Sequence, residues 1–165
     1  FNTVDTGAMT DASAVYTMLL MLIGGGSMST AGGIKLGTFI VLLVATYAFL
    51  RRREHVTLLN RTVPQEVVMK ALAVTLVTLT LMFLGIFTLM ILNPLPFIDI
   101  TFEVLSASAT VGLSRGITAE VTTASQLVLV FLMFAGRVGP LTLAYFLATP
   151  RKRHIRFPET DIQVG

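Results

Sequence analysis

Three stretches of the chain are apolar without the strict alternation of a half-buried strand or the polar stripe of a surface helix. Residues 71–92 (ALAVTLVTLTLMFLGIFTLMIL) hold no charged side chain. As a helix rising 1.5 Å per residue they reach about 33 Å, enough for the roughly 30 Å hydrocarbon core of a bilayer. Residues 121–149 are also apolar, with one interruption at Gly136-Arg137-Val138-Gly139-Pro140. Residues 12–50 carry a single charge, Lys35, and as one helix would extend about 58 Å, nearly twice that core. They predict either two short passes or one pass that breaks. The break is legible at Gly24-Gly25-Gly26-Ser27-Met28-Ser29-Thr30-Ala31-Gly32-Gly33-Ile34-Lys35. Each glycine there disfavours helix by about 1 kcal/mol relative to alanine.

Between the second and third stretches lies a connector, residues 93–120, of a different kind. Asn93-Pro94-Leu95-Pro96 ends the preceding helix, and Ile98–Ala109 forms an amphipathic run of about three turns, with Asp99 placed to cap its start. The run is too short to cross a bilayer, and Thr110-Val111-Gly112-Leu113-Ser114-Arg115-Gly116 follows at once. A half-length helix that ends in such a stretch is how a pore loop is built. Its C-terminus carries roughly half a negative charge, which favours a cation at the tip. Extended backbone beyond it can turn carbonyl oxygens inward to replace a hydration shell, and Gly112 permits the dihedrals this needs. Irregular backbone at membrane depth is tolerated only where it lines a cavity or is buried in protein.

Composition and charge agree with a membrane setting. The 165 residues are 54% hydrophobic and 13% charged, with a mean hydropathy of +0.81; a soluble domain is about 25% charged. That excludes a disordered chain, a coiled coil and most soluble enzymes. The net charge is +3, but the basic residues sit in two short clusters beside apolar stretches, which marks topology rather than a nucleic-acid partner. Arg51-Arg52-Arg53, with Arg61 and Lys70, and the cluster Arg151–Arg156 are expected in the cytoplasm. Residues 1–11, with two Asp and no basic residue, and the connector, with three acids against Arg115, are expected outside. This gives three passes, N-terminus out and C-terminus in, with residues 12–50 as one broken pass. There is no cysteine, hence no disulfide or thiolate metal site. The opening Phe1-Asn2-Thr3 reads as the inside of something longer, so the chain is taken as a C-terminal fragment.

These motifs together resemble the superfamily of potassium transporters that includes the Trk, Ktr and HKT proteins, and the ending Phe157–Gly165 looks most like the Ktr branch's membrane subunit. The resemblance implies an all-α membrane protein made of helix–pore-loop–helix repeats around a central ion pore, with one broken transmembrane helix. Residues 1–50 then resemble the end of a third repeat, with an intramembrane glycine-rich loop at 24–35; residues 51–65 a cytoplasmic linker; residues 66–149 a complete fourth repeat; and residues 150–165 a cytoplasmic tail. Thr110, Val111, Gly112, Leu113 and Ser114 become the filter, with potassium held by the backbone of the first three. Gly24, Gly25, Gly26, Ser27, Ser29, Thr30, Gly32, Gly33 and Lys35, together with Arg137, become the gate. The implied activity is potassium uptake across the plasma membrane, with sodium as a second candidate ion for symport. The implied partners are a second copy of the protein and a cytoplasmic ring of regulatory (RCK-type) subunits that bind ATP or ADP. Arg51–Arg53 and the tail are candidate docking surfaces for that ring.

Arg137 is costly in an apolar stretch, about 2.5–3.5 kcal/mol at the bilayer centre on insertion scales, so it is expected to face the bundle interior or water. A fixed positive charge there is a barrier in a cation pathway. Arg115 and Glu120 are read as solvated at the outer mouth. His55 and His154 lack metal-ligand spacing. No hydrolase, metalloprotease or phosphate-loop motif is present, so an enzyme is not expected. The competing function is a secondary transporter whose substrate site is a discontinuous helix, which residues 12–50 fit by themselves.

Overall fold

The computed structural model describes residues 5–26, 32–53, 55–58 and 61–139. Among them are five α-helices and one two-stranded ribbon. Helix α1 is Asp11–Leu22 and α2 is Leu36–Leu50; the strands β1 and β2 are Thr57–Leu58 and Arg61–Thr62; α3 is Gln65–Leu92, α4 Phe97–Ala109 and α5 Thr123–Val138. A single 3-10 turn, Ile117–Ala119, precedes α5.

Helix α3 begins six residues before the apolar run, after Pro64, which is preset for a helix entry, and Glu66 in its first turn suits the positive end of the helix dipole. Its 28 residues make it the one helix among the described residues that is long and apolar enough to cross a membrane. Its threonines do not contradict that. Thr78, Thr80 and Thr88 each donate their hydroxyl to the carbonyl four residues back, at 2.7–2.8 Å, so these three present no unsatisfied hydroxyl to lipid, while the Thr75 hydroxyl is buried. Leu72, Leu76, Phe83, Phe87 and Ile91 are exposed, and the Phe83 and Phe87 rings stack at 6.3 Å.

Helix α4 occupies the centre. It packs on α1 at one side and on α3 and α5 at the other. Phe102 and Ala109 meet Ala14, Met18 and Met21 of α1, while Ile100, Val104 and Ala107 meet Leu89 of α3 and Leu129 and Leu132 of α5. A polar clip fastens α3 to α5 beside this core. Buried Asn93 donates through Nδ2 to Leu89 O (2.9 Å) and Ser125 Oγ (2.7 Å) and accepts from Thr122 N (2.9 Å). Thr122 in turn caps α5 through Ser125 N.

The interruption between α1 and α2 has a specific form. Ile23 and Ile34 pair in parallel. Ile34 N donates to Leu22 O (3.1 Å), Gly24 N to Ile34 O (2.8 Å) and Leu36 N to Gly25 O (3.2 Å). Parallel pairing means that the chain heads the same way on leaving the loop as on entering it; a hairpin of two antiparallel passes would pair the other way.

Two local details depart from the sequence reading. The linker 51–65 contains the antiparallel ribbon, with Thr57 opposite Thr62 and Leu58 opposite Arg61. Asp99 does not cap α4: the helix starts after Pro96, and Asp99, inside its first turn, pairs with Arg115 instead.

A candidate ion-filter site at the end of helix α4

Helix α4 is half a bilayer long, about 20 Å for 13 residues. Glu103, Ser106 and Ser108 are buried in it along with its apolar residues. Its end is tied in two bonds: Val111 N donates to Ser106 O (3.0 Å) and Thr110 N to Ala107 O (3.1 Å). That is a Schellman closure, whose closing residue sits in the left-handed region and is usually glycine. Here it is Thr110, at φ 54° and ψ 38°. A left-handed β-branched residue is strained by about 1–2 kcal/mol. One compensation is visible: the Thr110 hydroxyl accepts a hydrogen bond from Gly32 N at 2.9 Å. Gly112 is also left-handed, at φ 82°.

The glycine-rich segment therefore touches the candidate filter directly. Gly32 N also donates to Ala109 O (3.0 Å). The neighbouring carbonyl, Ser108 O, abuts two glycines. A Cβ on Gly32 would stand 2.8 Å from it, and one on Gly136 of α5 would overlap it outright. Only hydrogen at those two positions lets the broken helix and α5 close on the tip of α4.

Beyond Gly112 the chain runs back along α4 and is pinned at several points. Arg115 Nε lies 2.6 Å from Asp99 Oδ1, an ion pair in contact without an aligned hydrogen bond, and the Arg115 side chain is 11% exposed. The expectation of a solvated Arg115 is thus corrected: returning chain brings it over the start of α4, where its charge is neutralised. Glu120 is exposed. Thr118 donates to buried Glu103, Ser114 Oγ and Thr118 Oγ1 are 3.0 Å apart, and Gly116 N donates to Ser114 Oγ (3.0 Å). Thr6, buried, donates its hydroxyl to the Ser114 carbonyl, so the last of the five expected filter residues already has its carbonyl oxygen engaged.

A cavity of about 480 Å³ opens beside this tip. Thr110, Gly112, Leu113 and Ser114 line it with Glu103, Thr118 and Arg137. Arg137 stands in the last turn of α5, where its charge complements the negative end of that helix, and is exposed. The structure thus assembles in one place residues 32, 110–114 and 137, which are far apart in sequence. Gly24, Gly25, Gly33 and Lys35 lie at the stem of the interruption, on or beside its parallel pairing, and Gly26 follows in open space. Ser27, Ser29 and Thr30 lie outside the described residues, as do residues 140–149 and the basic tail. Sequence reading missed Asn93, Thr6 and Glu103; an acid midway along a short helix of a charge-poor chain was the available signal for the last.

With this geometry in view, comparison with known proteins gives a consistent result. The TrkH family, described as cation transport protein, matches residues 1–155. The chain is similar to Ktr system potassium uptake protein B of Bacillus subtilis (44% identical over the whole chain and 37% of that protein) and of Vibrio alginolyticus (42%, covering 36% of that protein). It is also similar to the potassium/sodium uptake protein NtpJ of Enterococcus hirae, at 36% identity, covering 38% of that protein. The chain spans little more than a third of the length of these curated relatives, which are transport proteins rather than enzymes. Matched along nearly its whole length, the chain belongs to the TrkH family of cation transport proteins.

Proposed function

We propose that this chain is part of the pore-forming subunit of a potassium uptake transporter in the plasma membrane. Residues 66–149 form a complete fourth pore repeat and residues 1–50 the end of the third. The observation that carries the reading is the tip of α4: a buried half-length helix closing on a strained Thr110, with irregular backbone from Val111 to Ser114 beside a cavity. Irregular backbone that lines a cavity in an apolar chain is what a cation pathway requires. Thr110, Val111, Gly112 and Leu113 offer carbonyls to a dehydrated potassium ion, while Ser114 anchors the far end through Thr6. The negative end of α4 favours the cation.

The glycine-rich segment is the gate. Its Gly32 is bonded to both Ala109 and Thr110, so a change in the segment is felt at the filter. Arg137, on the same cavity, adds an electrostatic barrier. The basic cluster at Arg51–Arg53 faces the cytoplasm, where Arg51 lies over the Tyr47 ring at 5.4 Å. A second copy of the protein and a nucleotide-binding RCK-type ring on that side complete the assembly, and sodium is the second ion to test for symport. A secondary transporter with its substrate at the interrupted helix is the other reading, favoured by the parallel pairing of Ile23 and Ile34 alone.

The test is flux in proteoliposomes holding the intact protein, offered potassium, sodium and an uncharged organic solute in turn. Potassium uptake that saturates, with no solute uptake, is the expected result. Solute uptake that depends on an ion gradient would transfer the function to the interrupted helix.

A further inference from the structure

We infer that Glu103 is a positioning residue for ion selection: its buried carboxylate is the strut that fixes the returning half of the filter loop, through Thr118 and Ser114. The inference rests on the filter reading above and deepens it. Glu103 is 6% exposed and sits midway along α4. A carboxylate taken out of water needs partners, and breaking such an arrangement leaves an uncompensated polar group. Among the described residues its Oε1 accepts the Thr118 hydroxyl, while Oε2 has no hydrogen-bond partner. Thr118 Oγ1 is also 3.0 Å from Ser114 Oγ, which accepts from Gly116 N. The chain Glu103–Thr118–Ser114–Gly116 thus crosses from the rigid helix to the last filter residue.

Arg115 pins the same segment to Asp99 by charge, nearer the start of α4. The two attachments differ in what they control. The ion pair fixes where the returning segment lies. The Glu103 strut reaches Ser114 itself and sets the height of the loop above the helix tip. Discrimination between potassium and sodium depends on the number and placement of backbone oxygens, so a loop that loses this strut loses discrimination before it loses throughput.

The experiment measures potassium and sodium uptake by the intact protein in proteoliposomes, for Glu103→Ala, Glu103→Gln, Thr118→Val, the double variant Glu103→Ala/Thr118→Val, and Gly112→Ser. Each is first checked for monodisperse elution. Glu103→Ala and Thr118→Val are each expected to lower the potassium-to-sodium uptake ratio about tenfold, the scale of one hydrogen bond to a charged group. Glu103→Gln keeps the accepting oxygen and should stay within about twofold of the parent, and the double variant should be no worse than either single one. Because Thr118 is exposed, Thr118→Val decides the matter if Glu103→Ala does not fold. An unchanged ratio in Thr118→Val, or a Glu103→Gln as poor as Glu103→Ala, overturns the strut. If Gly112→Ser shifts the ratio while those variants do not, the filter reading stands and this inference alone fails; if Gly112→Ser also leaves it unchanged, the filter reading fails.

Discussion

Helices α3 and α4 invert the pattern of a water-soluble protein. The long helix shows Leu, Phe and Ile to its surroundings, and the short one hides Glu103, Ser106 and Ser108. In water the hydrophobic effect would drive the opposite arrangement. In a bilayer the apolar surround is met by α3 at no cost, and polar groups are kept for the interior, where they have work or partners. The contrast separates two kinds of residue. Those of α3 are set by the solvent, so many substitutions serve. Those around α4 are set by individual neighbours, and few do.

The largest effect expected from this contrast is at Gly136. Valine there drives a side chain into the Ser108 carbonyl, and overpacking of this kind costs about 1–3 kcal/mol or more. Gly136→Val should abolish monodisperse elution and uptake together, whereas Gly26→Ala, with open space around it, should elute as the parent does. Next comes Arg115→Met, which leaves Asp99, itself 18% exposed, without its cation; a loss of about 3 kcal/mol is expected in thermal unfolding of the purified protein. Asn93→Ala removes a three-bond clip between α3 and α5 and should cost about 2 kcal/mol by the same measurement, with ion selection intact. Arg137→Ala should raise potassium flux; unchanged or reduced flux at normal expression counts against a barrier. The smallest effect is at Leu76→Met on the exposed face of α3, within about 0.5 kcal/mol, and a larger loss would show that this face meets protein rather than lipid.

What the sequence disclosed follows the same division. Apolar length located α3, and the density of glycines located the interruption, because both depend on neighbours along the chain. The half-length α4 and the irregular stretch after it were legible from the two prolines before Phe97 and the Thr-Val-Gly run. The pairings were not. Nothing local says that Arg115 returns to Asp99, which made a solvated arginine the natural expectation. Likewise the positive φ was expected at Gly112, and a second, at Thr110, arose from the closure of α4 and the hydroxyl bond to Gly32. The small ribbon at 57–62 carries no alternation long enough to announce it.

The paired stem between Leu22–Gly25 and Ile34–Leu36 has a consequence for tolerance to change. Since the two ends of the inset are already joined to each other, its closure depends only weakly on how many residues lie between them. Doubling such an inset adds only about 0.6 kcal/mol of chain entropy. Extra residues introduced there need not re-space α1 and α2, so one inset can be lengthened or trimmed while the surrounding scaffold keeps its alignment.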